Sequence, residues 1–164
     1  MLLPKLFNEL LLTNDPTKFE DYTHNALRLL GIHRAYKLPQ FDQAGKADGF
    51  FTLGNLAVIY DCTLKSKYKE FKKQQIDNYC LQFTKGSLQI NTNHMELVSN
   101  KQQQVWIITR GQSKILEHFG HTTIVKVKEI SVEDLKKLFL DRLYDCKSIT
   151  EDKLESLLIN LGET

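Results

Sequence analysis

Asp48 and Asp61 are the residues of this chain best placed to do chemistry, because both stand in a stretch that reads as a hairpin. Gly49, Phe50, Phe51, Thr52 and Leu53 form one apolar run, Gly54 and Asn55 a tight turn, and Leu56 to Tyr60 a second run. Side chains alternate along a strand. Ala57, Ile59, Asp61, Thr63 and Lys65 therefore share one side of the second strand, and Val58, Tyr60, Cys62 and Leu64 the other. The second set reads as core, whereas the first carries a carboxylate, a hydroxyl and an amine. Asp48, near the start of the first strand, falls close to Asp61 across a short antiparallel pair. Two hard oxygen ligands on one sheet edge suit magnesium.

The remainder of the chain has to build one scaffold around that hairpin. At 164 residues, 41% of them hydrophobic, it is of single-domain size and can supply one substantial core. Its 22 basic and 20 acidic residues leave a net charge of +2, so any affinity for nucleic acid has to come from local clustering. Cys62, Cys80 and Cys146 show neither disulfide nor zinc spacing and fit reduced thiols in a cytoplasmic protein. Pro4, Lys5, Asn8 and Glu9 interrupt the apolar start too often for a signal sequence, and Leu3, Leu6, Phe7, Leu10 and Leu11 make a helical stripe instead. No apolar run approaches the length of a membrane span, so a soluble protein without a membrane partner is expected.

An aspartate before a hairpin, followed by an acidic residue in a hydrophobic strand with a lysine beyond it, resembles the PD-(D/E)XK nuclease motif. Lys46, Ala47, Asp48 and Gly49, the run from Val58 to Leu64, and Phe19-Glu20 on a helix ending at Leu30 and Gly31 are similar to cleavage domains of type IIS restriction endonucleases. These include the Fok-type cleavage domain and the small nuclease subunits of two-chain enzymes. The resemblance implies a restriction-endonuclease-like α/β fold, with a mixed central sheet flanked by helices. It also implies Mg2+ held by Asp48, Asp61 and the backbone carbonyl of Cys62, cleavage of double-stranded DNA, and a larger DNA-recognising subunit as partner. The chain departs from the motif where Thr63 takes the lysine's place. Lys65 follows one pleat later, about 6 to 7 Å along a continuing strand, so either Lys65 or Thr63 is left to orient the attacking water.

Asp15, Pro16 and Thr17 start a helix whose buried face is Phe19, Tyr22, Ala26, Leu27 and Leu30. Glu20 has two readings there: partner of Thr17 in a capping box, or the helix-borne carboxylate that the resemblance brings to the metal. Residues 32–43 read as a connecting loop. After Lys65, a helical pattern runs through Tyr68, Phe71, Ile76, Tyr79, Cys80 and Phe83, and its first half offers Lys67, Lys69, Lys72 and Lys73 to DNA phosphates near the hairpin. Residues 84–104 read as a polar excursion. Val105 to Thr109 and Thr123 to Val127 read as strands with a short helix at 113–119 between them, which is a parallel crossover. Two more amphipathic helices follow, the first capped by Ser131 and the second carrying Leu154, Leu157, Leu158 and Leu161.

Residues 1–164 thus read as a single nuclease domain with no separate DNA-recognition domain. His118 and His121 lack the neighbours a zinc site needs, Cys62 faces the core, and no phosphate-binding glycine loop or serine elbow occurs.

Overall fold

The computed structural model describes residues 3–38, 46–117 and 124–163. In chain order the elements are α1 (Lys5–Leu12), α2 (Pro16–Leu29), β1 (Arg34–Lys37), β2 (Gly49–Leu53), β3 (Leu56–Cys62) and α3 (Lys69–Thr84). They continue with β4 (Ser87–Asn91), β5 (His94–Leu97), β6 (Gln102–Thr109), β7 (Lys114–Ile115), β8 (Lys126–Ser131), α4 (Val132–Tyr144) and α5 (Glu151–Asn160).

The main sheet has the order β1-β2-β3-β6-β8-β7. β1, β2 and β3 form an antiparallel meander, β3, β6 and β8 run parallel, and β7 closes the far edge antiparallel to β8. The β2–β3 turn is the tight one expected, with Gly54 at a φ of 55° that a side chain would resist. Every residue of β3 is buried. This corrects the reading of that strand as half core and half polar, and the cause is its neighbours. A strand inside a partly parallel sheet is covered on both faces and becomes apolar on both.

Two cores result. Val58, Tyr60 and Cys62 of β3 join Trp106, Ile108 and Ile130 beneath the helices α1, α2, α4 and α5. Ala57 and Ile59 face the other way, with Val105, Ile107 and Val127, beneath Ile76, Tyr79, Cys80 and Phe83 of α3. The antiparallel pair β4–β5 lies on that second face, where Leu88, Ile90 and Val98 are buried.

Four local readings change in the structure. Residues 84–104 are not an excursion but hold β4 and β5, in which buried Leu88 and Ile90 alternate with exposed Gln89 and Asn91. Residues 34–37 form a strand within the stretch read as loop, its single buried residue, Ala35, being too little to make a pattern. Of the helix expected at 113–119, residues 113–117 are described and hold instead a two-residue edge strand, Lys114 and Ile115; the rest, with His118 and His121, lies outside the described residues. Finally, Asp15 rather than Thr17 caps α2, accepting the Thr17 and Lys18 amide protons at 3.0 and 3.3 Å with Pro16 in the first turn. That leaves Glu20 without a capping duty.

Candidate active site

The site lies where β2 begins and β3 ends. Gly49 pairs with Tyr60, so continuing the register by one residue sets Asp48 opposite Asp61. Asp48 is fixed there by the backbone N–H of Cys62, which donates to its Oδ2 at 2.7 Å. Gly49 is required by the same geometry, because a Cβ at that position would come within 2.1 Å of the Tyr60 ring. With no side chain in its way, Tyr60 stays buried and its hydroxyl meets His24 Nδ1 of α2 at 3.2 Å.

Asp61 is only 4% exposed, and its counter-charge is Lys72, whose ammonium is ion-paired with Oδ2. The amine at the acidic pair therefore comes from α3. In the sequence Lys72 groups with the lysines offered to DNA phosphate. The clue was its spacing, for Lys72 precedes Ile76 by one helical turn and so shares the face that packs on the sheet.

Lys65 takes a different course. The strand stops at Cys62, so the alternation that was to carry the Lys65 amine to the pair ends with it, and the ammonium stands over the Phe71 ring, 5.9 Å from its centroid. Phe71, expected in the core, is 71% exposed. Thr63 is buried just past the strand, bonded through its N–H to the Ile108 carbonyl at 3.0 Å and accepting the Lys65 N–H on its hydroxyl at 3.1 Å. Lys67, Lys69 and Lys73 are exposed around the start of α3.

Burial and the facing charge of Asp61 push the Asp48 carboxyl up to about 8, with Glu20 adding to the rise and the Cys62 N–H opposing it. Burial also raises Glu20, and the next cause is the charge of Asp61, which brings this α2 carboxylate into the same electrostatic neighbourhood. Burial holds the Cys62 thiol well above its usual range, which suits a core residue better than a nucleophile.

Among the described residues, no group of three or more His, Cys, Asp or Glu side chains is arranged to hold a metal ion. The donor set is narrower and still fits Mg2+, which commonly takes one or two protein carboxylates and fills its remaining positions with water and phosphate oxygens. Asp48 and Asp61 are hard donors whose mutual repulsion a divalent cation would neutralise, and the Cys62 carbonyl follows directly in the chain.

No family model and no curated protein matches the chain. Among solved structures it is similar to the small subunit of the heterodimeric restriction endonuclease R.BspD6I, with a TM-score of 0.63 at 15% sequence identity. The match covers 94% of this chain and 84% of that one. The fold is restriction-endonuclease-like. At this identity the likeness establishes the arrangement of the sheet and its flanking helices and leaves the chemistry to the side chains.

Proposed function

We propose that the chain is a Mg2+-dependent DNA endonuclease, the cleavage subunit or domain of a type IIS restriction endonuclease that works with a separate DNA-recognising partner. The observation that carries this reading is the pair Asp48 and Asp61, set opposite each other across the end of a hairpin with the Lys72 ammonium on Asp61. The fold it shares with a subunit of a heterodimeric restriction enzyme supports the same reading.

When bound, Mg2+ supplies positive charge to the scissile phosphate and to the attacking water. Asp48, Asp61 and the Cys62 carbonyl would hold it, and Lys72, which pairs with Asp61 in the metal-free site, would yield that place to the cation and offer a proton donor beside the attacking water. Glu20 stands ready at the α2 side of the site. Lys67, Lys69 and Lys73 take the flanking phosphates of double-stranded DNA by charge alone, a mode that positions a duplex without reading its sequence. In this reading residues 1–164 form one nuclease domain and recognition belongs to the partner. The three thiols, all unpaired and two of them buried, agree with a reducing cytoplasm. Among the described residues no helix is long and apolar enough to cross a membrane.

The test is a supercoiled-plasmid assay with Mg2+, run on the chain together with its recognition partner. Asp48→Asn and Asp61→Asn should each remove cleavage while the far-ultraviolet spectrum stays unchanged. Cleavage at the wild-type rate by either variant would refute the assignment.

A further inference from the structure

Tyr79 stands two turns along α3 from Lys72, on the same face of the helix. The residue is fully buried, at 0% exposure, in the core layer that also holds Ile59 and Ile107. Both of those neighbours belong to Asp61. Ile59 precedes it on the same face of β3, and Ile107 is its register partner on β6. The Tyr79 side chain therefore rises toward the acidic pair from the floor of the site.

Its hydroxyl closes no hydrogen bond of normal length and angle, although it lies at the margin of hydrogen-bond reach of Asp61. Among the described residues one other buried hydroxyl shares that condition, Thr23, which neighbours the Cys62 thiol on the opposite face of the sheet. Buried hydroxyls in folded proteins nearly always find a partner, so an orphan of this kind marks a place where a ligand, ion or water completes the set. A tyrosine hydroxyl is protonated and able to donate at neutral pH. It interacts with Asp61 from the edge of hydrogen-bond range, short of a bond of normal geometry, while Oδ2 of Asp61 is engaged by Lys72.

We propose that Tyr79 is a positioning residue of the cation site, its hydroxyl donating to Asp61 when a divalent cation held by Asp48 and Asp61 replaces the Lys72 ammonium as that carboxylate's counter-charge. The role rests on the cation reading given above. It is the kind of outer hydrogen bond that sets the orientation of a ligating carboxylate, and its removal typically weakens a metal on the order of tenfold or more.

The experiment is a titration of the full chain, free of DNA, with Mn2+, following the electron paramagnetic resonance signal of the unbound ion. Wild type should bind, Asp61→Asn should not, and Tyr79→Phe should bind about tenfold more weakly while melting, metal-free, no lower than wild type. The last point separates positioning from packing, because loss of a merely structural hydroxyl would lower the melting temperature and leave Mn2+ affinity untouched. That pattern, or unchanged affinity in Tyr79→Phe, overturns the proposal while Asp61→Asn keeps the cation reading intact. Wild type that binds no Mn2+ overturns both. Independently of the variant's stability, fluorotyrosine placed at position 79 should shift its 19F resonance on addition of Mg2+, and an unmoved line also overturns the role.

Discussion

At the scale of single residues, the question the site poses is which amine serves the carboxylates. Lys72 is one-fifth exposed and joined to an Asp61 side chain that is 5% exposed, whereas Lys65 lies over Phe71 beyond the end of β3. Removing Lys72 leaves the metal-free site with two facing carboxylates and no counter-charge, and takes from the loaded site a positioned proton donor that Lys65 cannot replace from its position. Lys72→Met should lower DNA cleavage on the order of a hundredfold, the usual scale for a positioned proton donor or acceptor, and Lys65→Ala should cost far less. Initial rates on plasmid DNA at saturating Mg2+ would decide, and a larger loss in Lys65→Ala would return the role to the residue nearer the motif. The two aspartates were legible in the sequence because a hairpin with a Gly54–Asn55 turn fixes their register from local information alone. For Lys72 and Tyr79, helical spacing gives only the face of α3 they share with Ile76; their approach to Asp61 depends on where α3 lands on the sheet, which that spacing does not encode. Glu20 was ambiguous for a related reason. Its place in an apparent capping box hid the fact that Asp15 does the capping.

At the scale of elements, helices with strong stripes and the β2–β3 hairpin could be read directly, while β4 escaped because its Leu88–Ile90 alternation is short, and β1 and β5 because polar contacts tie them. Glu96 of β5 shows how. Its carboxylate is buried and accepts two hydrogen bonds from Arg34 of β1 at 2.6 and 2.8 Å, one from the Tyr36 hydroxyl at 3.1 Å, and lies 2.8 Å from His94 Nε2. One acidic residue thus ties the small sheet to the edge strand of the large one, and no hydrophobic periodicity announces it. Burial alone would raise Glu96, but the bonds from Arg34, His94 and Tyr36 outweigh it and leave the carboxyl below its ordinary value. A depressed carboxylate stabilises the fold above its unfolded pKa, and that contribution is lost as pH falls through the depressed value. We therefore expect Glu96→Gln to cost about 1–3 kcal/mol at neutral pH, the range for stripping a buried hydrogen-bonding network of its charge. The deficit should shrink as the pH falls from the ordinary glutamate value, about 4.3, through the depressed native one, where the wild-type carboxyl also becomes neutral. Urea melts of both proteins at several pH values would measure it, and a deficit that stayed constant down to low pH would show that the network works through shape rather than charge.

At the scale of the whole molecule, charge and topology together limit what one copy can do. A net charge of +2 supplies little long-range attraction for DNA, and the exposed lysines at the start of α3 are a small local supplement. Contacts of that kind give dissociation constants of roughly 10⁻⁴ to 10⁻⁶ M at physiological salt and carry no sequence information. The candidate site has one acidic pair, at one end of one hairpin, so under the nuclease reading proposed above a bound copy would address a single strand of a duplex. A double-strand break then needs a second nucleolytic centre, and a defined cut position needs an element that reads base edges. Both requirements point to a partner, which would raise the local concentration of DNA at the Asp48–Asp61 pair without any tightening of the pair itself. We expect the purified chain alone to be silent or to nick supercoiled plasmid slowly and without preferred positions. Its nicking should fall steeply as salt rises, since phosphate contacts release counterions. Addition of the DNA-recognising subunit should convert this into linear product at fixed positions, with a weaker salt dependence set by the partner's own contacts. Gel separation of supercoiled, nicked and linear forms, with and without partner, follows all three species at once. Efficient linearisation at one defined sequence by the chain alone would defeat the expectation, and would move the reading of DNA into the small β4–β5 sheet and α3, the elements that flank the site on its second face.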